Sequence, residues 1–309
     1  MPDALGSPLI LFYNTFFDDP YSIDWIEPAA RGAFVHDKAL YPEADAVIFH
    51  IPDLVFGTPT LDDVAKLQKP EKQLWVAWSK ESAVNYPVQD DPAFMARFDL
   101  EMGYRRSADV WDPYVPSKSY WLESIKQPLP AKTERAPLVM FQSAGFNKSL
   151  RSEFATALMQ EIQVDSYGRH LNNKTLAETD KGVETKLATI SRYKFCLSLE
   201  NAIEDDYVTE KFFDPFLVGS TPVYRGAPNI MDFAPGNHCF INANDFGSPK
   251  DLANYLKYLD ENDGAYQQYF SWREQPPSPS FEKLLRRREK DSFSQLVEEV
   301  TRRMALNPV

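Results

Sequence analysis

The sequence predicts an α/β protein with two doubly wound domains, and three observations support this prediction. Short apolar runs rich in β-branched and aromatic residues alternate with segments of helical spacing, which is typical of parallel sheets covered on both faces. A proline-rich, charged stretch at 127–137, QPLPAKTERAP, interrupts this alternation and has the composition of a linker. The length of 309 residues also favours two domains over a single core.

The secondary structure is predicted from these runs. In the first half they indicate four strands, at 9–14, 46–51, 74–79 and 108–111. A helix is expected over 60–68, where Asp62 and Asp63 would lie at the positive end of its dipole. In the second half they indicate five strands, at 137–142, 164–167, 193–199, 221–224 and 239–242. Apolar spacing there predicts three helices, at 148–162, 209–218 and 249–259.

The order strand, loop, helix repeats through the second half and predicts a doubly wound sheet, which binds ligands at the carboxyl ends of its strands. The last amphipathic segment, within 281–300, either packs on its own domain or crosses back to the first one. We therefore divide the chain into four parts, namely a first domain at 1–126, a linker at 127–136, a second domain at 137–270 and a C-terminal tail and helix at 271–309.

Composition excludes several classes of protein. The formal net charge of −12 gives no long-range attraction for a phosphate backbone, so we expect no nucleic-acid partner. The N-terminal apolar run is too short to span a membrane, so we expect no integral membrane segment. The protein is expected to be cytoplasmic, or else a catalytic domain separated from an anchor. Cys196 and Cys239 lie in apolar runs and are expected to be two buried thiols rather than a disulfide.

Several ligand-binding motifs do not occur in the sequence. No Asp-x-Asp triplet is present to chelate a divalent ion, and the four histidines are not at metal-ligand spacing. Neither G-x-G-x-x-G nor G-x-x-x-x-G-K-[ST] occurs. We therefore expect no metal and no cofactor, and side chains and a helix start would have to bind any anion.

The segment 193–232 carries the chemistry. Its buried strand ends at Glu200 and Asn201, and a helix begins near Thr209 with Lys211 in its first turn. Unpaired N–H groups at a helix start suit a diphosphate. A lysine in that turn opposes the helix dipole by about 0.3–1 kcal/mol, which a bound anion would explain. From the residues alone, Lys211 is either such an anion ligand or an ordinary surface lysine.

Residues 207–236, YVTEKFFDPFLVGSTPVYRGAPNIMDFAPG, resemble the signature of the α-1,3/α-1,4-fucosyltransferase family, glycosyltransferase family 10. The resemblance continues through CFINANDF, and two upstream segments, SAGFNKSLRSEF and VDSYGRHLNN, are similar to further segments of that family. It implies the GT-B architecture, in which two Rossmann-like domains face each other across a cleft. The first would bind the acceptor and the second would bind GDP-fucose.

The same resemblance implies the donor-binding residues. Arg151 and Lys211 would hold the diphosphate, although without the resemblance Arg151 would be an ordinary exposed helix arginine. Asn201 would donate to a phosphate or fucose oxygen, and Tyr207 would border the nucleotide. Glu210 would face the donor, either accepting from sugar hydroxyls or lying near the positive charge on the fucose ring. The matching segments imply four further donor-binding residues, Ser143, Tyr167, Val208 and Thr209.

Residues 74–87, LWVAWSKESAVNYP, resemble the family segment that contains a catalytic Glu–Ser pair. This implies that Glu81 is the general base of an inverting transfer. Lys80 would depress the pKa of Glu81 if the two side chains approach each other. Further along, Arg105, Arg106 and Asp109 form either a structural charge cluster or part of the acceptor side.

The expected reaction is transfer of L-fucose from GDP-β-L-fucose to an oligosaccharide or glycoconjugate acceptor, at O3 of N-acetylglucosamine in an α-1,3 linkage. The resemblance leaves α-1,4 and core linkages open. Two rival functions are a GT-B transferase that uses another nucleotide sugar and a non-catalytic protein that binds nucleotides or glycans.

Overall fold

The computed structural model describes residues 7–306, which fold into two compact units. One unit contains the described residues up to Pro113 and those from Lys290 onward, and the other contains Tyr114–Glu289. Each unit has one parallel sheet, with six strands in the first and five in the second. The predicted α/β class with two parallel-sheet domains is therefore confirmed.

The first sheet has the strand order β2-β1-β3-β4-β5-β6. Its strands are β1 Ile10–Phe12, β2 Phe34–Val35, β3 Ala46–His50, β4 Leu74–Ser79, β5 Leu100–Gly103 and β6 Val110–Trp111. The four predicted strands are present, and β2 and β5 are additional. The sequence does not reveal these two because β2 has only two residues and β5 is interrupted by the exposed Glu101.

Four helices of the first unit follow its strands. They are α1 Pro28–Arg31, α2 Ile51–Phe56, α3 Leu61–Lys66 and α4 Pro92–Met95. Helix α3 begins with a capping box, because Asp63 N–H donates to Thr60 Oγ1 over 3.3 Å and Thr60 N–H donates to Asp63 Oδ2 over 3.0 Å. These reciprocal bonds account for the helix predicted over 60–68.

The second sheet has the strand order β11-β10-β9-β7-β8. Its strands are β7 Leu138–Met140, β8 Val164–Ser166, β9 Phe195–Leu199, β10 Thr221–Arg225 and β11 Ile241–Asn242. Strand β8 pairs with one side of β7, and β9 pairs with its other side. The direction in which strands are added therefore reverses between β7 and β9. In open parallel sheets, ligands bind at such a switch point, outside the carboxyl ends of the strands.

The helices of the second unit cover both faces of this sheet. They are α5 Lys118–Lys126, α6 Arg151–Met159, α7 Val183–Ser191, α8 Glu210–Leu217, α9 Pro249–Glu261, α10 Asp263–Gln267 and α11 Pro279–Arg287. Helix α5 belongs to this unit because Trp121 is fully buried and packs 4.8 Å from the Phe281 ring and 5.9 Å from the Trp272 ring. The unit thus begins before the linker predicted at 127–136.

The last helix, α12 Ser292–Leu306, packs on the first sheet. Its residues Phe293, Leu296 and Val300 are buried in the same core cluster as Ile10 and Trp78. Of the two alternatives for the C-terminal helix, the structure therefore has the one that returns to the first unit. Asp109 supports this packing, because Arg303 donates to its Oδ1 over 3.0 Å.

Both cysteines are buried free thiols, as predicted. Burial raises the pKa of Cys196 and of Cys239 to about 12. Within residues 7–306, no helix is long and apolar enough to cross a membrane. The same part of the chain contains no group of three or more His, Cys, Asp or Glu side chains placed to hold a metal ion.

Candidate functional site

Arg151 begins helix α6 beside the switch point of the second sheet. Its Nη2 donates to the carbonyl of Ala144, in the loop after β7, over 2.8 Å. Its Nη1 lies 3.4 Å from the carbonyl of Leu199, at the end of β9. The side chain therefore spans the two strands between which the order reverses. Arg151 is 1% exposed, so it is not an ordinary surface arginine.

The backbone before Arg151 is strained. Leu150 has a φ of 55°, in the left-handed region that costs a non-glycine residue about 1–3 kcal/mol. The adjacent Ser149 ties this turn to the end of β9, since its hydroxyl donates to Glu200 O over 2.5 Å and its N–H to Asn201 O over 3.1 Å. Arg225 adds a 2.6 Å bond to Ser149 O. These bonds offset the strain and fix the direction in which α6 begins.

Glu200 is a fully buried carboxylate that joins the end of β9 to the start of α8. It accepts from the Thr209 N–H over 2.7 Å and from the Thr209 hydroxyl over 2.8 Å. Lys211 Nζ lies 3.7 Å from its Oε2 and 3.0 Å from Thr209 Oγ1. Glu200 thus positions both the helix cap and the lysine predicted to bind the diphosphate.

The expectation that free N–H groups at the start of α8 receive an anion needs correction. The Thr209 N–H donates to Glu200, and the Lys211 N–H is 3.4 Å from Thr209 Oγ1. The Glu200 carboxyl group occupies this helix end, and the first helical residue, Glu210, adds a second carboxyl group there. At this edge of the sheet, the groups suited to a diphosphate are therefore the side chains of Arg151 and Lys211.

Lys186 on α7 and Asp214 on α8 extend this charge cluster. Lys186 Nζ lies 2.9 Å from Asp214 Oδ2 and 3.7 Å from Glu210 Oε1. Lys211 Nζ donates to the same Glu210 oxygen over 3.2 Å. The Glu210 side chain is 41% exposed, so its carboxylate is bound on one side by two ammonium groups and open on another.

The pKa values follow from these contacts. Desolvation raises the pKa of Glu210, but the charges of Lys211 and Lys186 outweigh it and lower the pKa to about 2. Burial alone would lower the pKa of Lys211. The negative charges of Glu210 and Glu200 outweigh burial, so the pKa of Lys211 is raised. Arg151 is close enough to oppose that rise by charge repulsion. The structure thus brings Arg151 and Lys211 together, and Lys211 stays protonated.

The loop between β9 and α8 contributes Asn201, Tyr207 and Val208, all of which are buried. Asp206, in the left-handed region with a φ of 65°, turns the chain into this buried segment. Asn229 holds the turn, since its Oδ1 accepts from Asp206 N–H over 3.0 Å and its Nδ2 donates to Asp206 Oδ1 over 2.8 Å. The loop therefore has a defined shape at the carboxyl end of β9.

Ser143 and Tyr167 lie after β7 and β8. The Ser143 hydroxyl accepts from Arg169 N–H over 3.3 Å, which links the two loops. The Tyr167 ring stacks on Phe141 at 5.4 Å, and its hydroxyl is 2.9 Å from the Tyr193 hydroxyl. The contacts of Tyr167 thus lead toward the amino end of β9, whereas those of Arg151 and Lys211 lie at its carboxyl end.

Glu81 belongs to the first unit, two residues after β4. Its N–H and carbonyl both lie 3.1 Å from Ser79 Oγ, and Gln89 Nε2 donates to the carbonyl over 3.0 Å. Burial raises the pKa of Tyr86 to about 12, and the nearby Glu81 charge adds to the rise. Lys80 donates to Asp112 Oδ1 over 3.3 Å. The structure therefore holds the Glu81 backbone firmly beside Tyr86.

Sequence reasoning does not identify Lys186, Asp214 or Arg225, and it assigns no role to Glu200. The sequence does contain one indication of the roles of Lys186 and Asp214. Glu210 and Asp214 are four residues apart on a helix whose other buried residues are apolar, and two carboxylates at that spacing repel each other. A cation between them would relieve this repulsion, but the sequence does not indicate which lysine supplies it.

Two parallel sheets of this order, with cations gathered at the switch point of the second, form an architecture on which nucleotide-binding proteins are built. Family models identify the chain more closely. Residues 130–305 match glycosyltransferase family 10 (fucosyltransferase), C-terminal, and residues 6–115 match fucosyltransferase, N-terminal.

Curated relatives agree with these matches. The 4-galactosyl-N-acetylglucosaminide 3-alpha-L-fucosyltransferase FUT5 of Homo sapiens is 35% identical over 292 residues, covering 88% of this chain and 73% of the relative. The corresponding FUT6 of Pan troglodytes is 33% identical over 288 residues, covering 88% of this chain and 76% of the relative. GDP-fucose protein O-fucosyltransferase 3 of Gallus gallus is 33% identical over 240 residues, covering 71% of this chain and 49% of the relative.

A solved structure shows the same fold. A crystal structure of an α-1,3-fucosyltransferase with GDP-fucose matches with a TM-score of 0.61 at 17% identity, covering 96% of this chain and 92% of that one. The chain belongs to glycosyltransferase family 10, the fucosyltransferase family, and is a glycosyltransferase of the GT-B type. The resemblance stated from the sequence is confirmed.

Proposed function

We propose that this chain transfers L-fucose from GDP-β-L-fucose to O3 of N-acetylglucosamine in a glycan, forming an α-1,3 linkage with inversion. The family supports the sugar, and the relatives from Homo sapiens and Pan troglodytes are 3-alpha-L-fucosyltransferases that act on 4-galactosyl-N-acetylglucosaminides. The solved relative with GDP-fucose supports this donor.

One observation carries the proposal for this chain, namely the pair of cations at the switch point of the second sheet. Arg151 is buried with its guanidinium anchored on Ala144 O, and Lys211 is anchored on Thr209 and Glu200. A guanidinium binds two phosphate oxygens with its planar fork, and an ammonium binds as a point charge. Together they suit the diphosphate of a nucleotide sugar.

In the proposed reaction, the acceptor hydroxyl attacks the anomeric carbon of fucose from the face opposite GDP. The carboxylate of Glu81 takes the hydroxyl proton as the new carbon–oxygen bond forms. The bond to the β-phosphate oxygen breaks, and its electron pair leaves with GDP. Arg151 and Lys211 would stabilise the charge that develops on this leaving group.

A second acceptor class is a hydroxyl group of a protein, which is suggested by the name of the Gallus gallus relative, a protein O-fucosyltransferase. The relatives from Homo sapiens and Pan troglodytes cover more of this chain, and we therefore place the glycan first. Incubation with GDP-fucose, and either N-acetyllactosamine or a Ser/Thr-rich peptide, separates these acceptors by the mass and sequence of the product.

Replacing Glu81 tests the proposed base. In Glu81→Gln the side chain keeps its shape but no longer takes up the acceptor proton, so turnover should fall about 10²–10⁴-fold. GDP affinity should stay within about twofold, since Glu81 is not among the groups proposed to hold the diphosphate. The measurements are initial rates of fucose transfer and calorimetric titration with GDP.

The matched control is Glu71→Gln, which alters an exposed glutamate before β4 and should leave both quantities unchanged. Glu81→Gln turnover close to that of the unaltered protein would remove Glu81 from the role of base.

A further inference from the structure

We propose that Lys186 and Asp214 are positioning residues that hold the Glu210 carboxylate in place to accept a hydroxyl of the bound donor. The inference rests on the proposed function, because the hydroxyl belongs to GDP-fucose. It adds two residues to the proposed donor site, Lys186 from α7 and Asp214 from the second turn of α8.

The geometry begins with α8 itself. Glu210 is its first residue and Asp214 follows four positions later, so both carboxylates lie on one face. Such a pair repels, by about 0.2–0.5 kcal/mol on an exposed helix surface. Lys186 approaches from α7 and contacts both, at 2.9 Å from Asp214 and 3.7 Å from Glu210. The positive charge of Lys186 therefore offsets the repulsion between the two carboxylates.

Fold stability alone does not explain these charges. The Asp214 side chain is 11% exposed and that of Lys186 is 23% exposed, so both lose much of their hydration. Buried ion pairs of this kind stabilise a fold no better than apolar residues of similar size. The neighbouring positions of α8 carry Phe212, Phe213 and Phe216, so apolar packing is available in this helix. The charged pair instead lies beside Glu210, with Lys186 Nζ 3.7 Å from Glu210 Oε1.

The contacts also orient the Glu210 carboxylate. Lys211, from α8 itself, and Lys186, from α7, both contact Oε1. Because both ammonium groups contact that oxygen, we assign Oε2 as the acceptor of a hydroxyl in a charge-assisted hydrogen bond. The 41% exposure of the side chain leaves it accessible to a ligand.

Five charged groups determine the ionisation of Glu210. Lys211 and Lys186 favour its carboxylate, while Asp214 and Glu200 oppose it, as their own raised pKa values indicate. Arg151 acts on the same cluster through Lys211. Removing Lys186 takes away one of the two favourable charges, so the pKa of Glu210 should rise toward its ordinary value.

The test is calorimetric titration of the full chain with GDP-fucose between pH 7 and pH 4, a range in which the donor diphosphate keeps its charge. In Lys186→Met, Kd at pH 7 should rise about tenfold, since the carboxylate loses its anchor. Affinity should fall further as the pH approaches 4, because the Glu210 carboxylate of this variant, with a pKa nearer its ordinary value, then takes up a proton. Lys186→Arg, which keeps the charge, should restore most of the affinity.

A double-mutant cycle separates the effect of Glu210 from that of Glu200, whose pKa is raised by burial. In the Glu210→Gln background, Lys186→Met should change Kd less than twofold and add no pH dependence. Lys186→Met/Asp214→Asn removes the unpaired buried charge, so this variant stays folded while still showing the weaker binding. Lys181→Met, on an exposed lysine before α7, is the control and should leave binding unchanged.

Two outcomes would overturn the inference. One is a lower melting temperature in Lys186→Met with unchanged Kd and pH dependence, which a purely structural ion pair would produce. The other is an equal loss of affinity in the presence and absence of Glu210. Failure of the proposed function is a separate result, since it would be seen as absence of GDP-fucose binding by the unaltered protein.

Discussion

Arg151 and Lys211 are held in different ways, and this decides how each responds to substitution. The guanidinium of Arg151 is anchored on backbone carbonyls, including that of Ala144 at 2.8 Å. Lys211 is anchored on side chains, with Thr209 Oγ1 at 3.0 Å. A backbone anchor fixes a planar fork in one orientation, whereas an ammonium adapts to its neighbours.

Arg151→Lys is therefore expected to be a damaging change although it preserves the charge. A lysine ammonium binds as a point charge and does not present a planar fork to two phosphate oxygens, so the Kd for GDP should rise about ten- to a hundredfold. Calorimetry with GDP measures the effect, and a melting curve reports whether the buried substitution also lowers stability.

The corresponding control is Arg286→Lys, which alters an arginine that is 68% exposed on α11 and pairs with Glu282. This change should alter neither GDP affinity nor melting temperature. A Kd for Arg151→Lys within twofold of the unaltered value would show that the planar fork does not bind the diphosphate.

At the scale of single elements, the start of α8 both stabilises the helix and positions residues of the candidate site. Thr209 caps the helix and its hydroxyl donates to the buried Glu200. Thr60 caps α3 in the first unit with no comparable buried partner. The two threonines are therefore a matched pair for separating the stability of a cap from its effect on a site.

Thr60→Ala should cost about 1 kcal/mol of unfolding free energy and leave GDP-fucose affinity unchanged. Thr209→Val should cost about 1–3 kcal/mol, since it also leaves an oxygen of Glu200 without its donor, and it should weaken GDP-fucose binding. Chemical denaturation and calorimetry measure the two effects. Equal effects of both substitutions on affinity would contradict the role given to Thr209.

Elements with long buried runs are predictable from the sequence, and contacts between distant elements are not. Strand β4 has the predicted bounds because LWVAWS is continuously apolar and ends at a polar loop. Helix α7 is not predicted, since Val183–Ser191 mixes polar and apolar residues without a clear period. Lys186 lies on that helix, and its role depends on α8 packing beside it.

In the candidate site too, contacts between distant residues are not predictable from the sequence. The YVTEK segment points to Lys211 and Glu210 through a resemblance that the family models confirm. No local pattern indicates that Glu200 occupies the helix start, because its bonds to Thr209 close a loop of nine residues. The roles of single residues, including Glu81 as base, stay predictions until they are tested by substitution.

For the whole molecule, the chain crosses between units twice, since the first unit is completed by the residues from Lys290 onward. Helix α12 inserts Phe293 among aromatic rings of that unit, at 4.9 Å from Tyr21 and 5.5 Å from Trp78. The first sheet therefore acquires part of its core only when the end of the chain is in place.

Phe293→Ala should lower the unfolding free energy of the first unit by about 3–5 kcal/mol, because it opens a cavity in a closely packed aromatic cluster. Leu306→Ala removes a side chain of the same helix that is 65% exposed and should change stability by less than about 0.5 kcal/mol. Thermal and chemical unfolding measure both. Similar small losses in the two variants would mean that α12 contributes little to this core.

The proposed function of the whole molecule is transfer of fucose from GDP-fucose to a glycan hydroxyl with inversion. The most direct measurement is NMR analysis of the product formed from GDP-β-L-fucose and N-acetyllactosamine, together with the amount of GDP released. We expect one GDP for each product molecule, with fucose α-linked to O3 of N-acetylglucosamine. Absence of a fucosylated product with every acceptor, or a β-linked fucose, would contradict it.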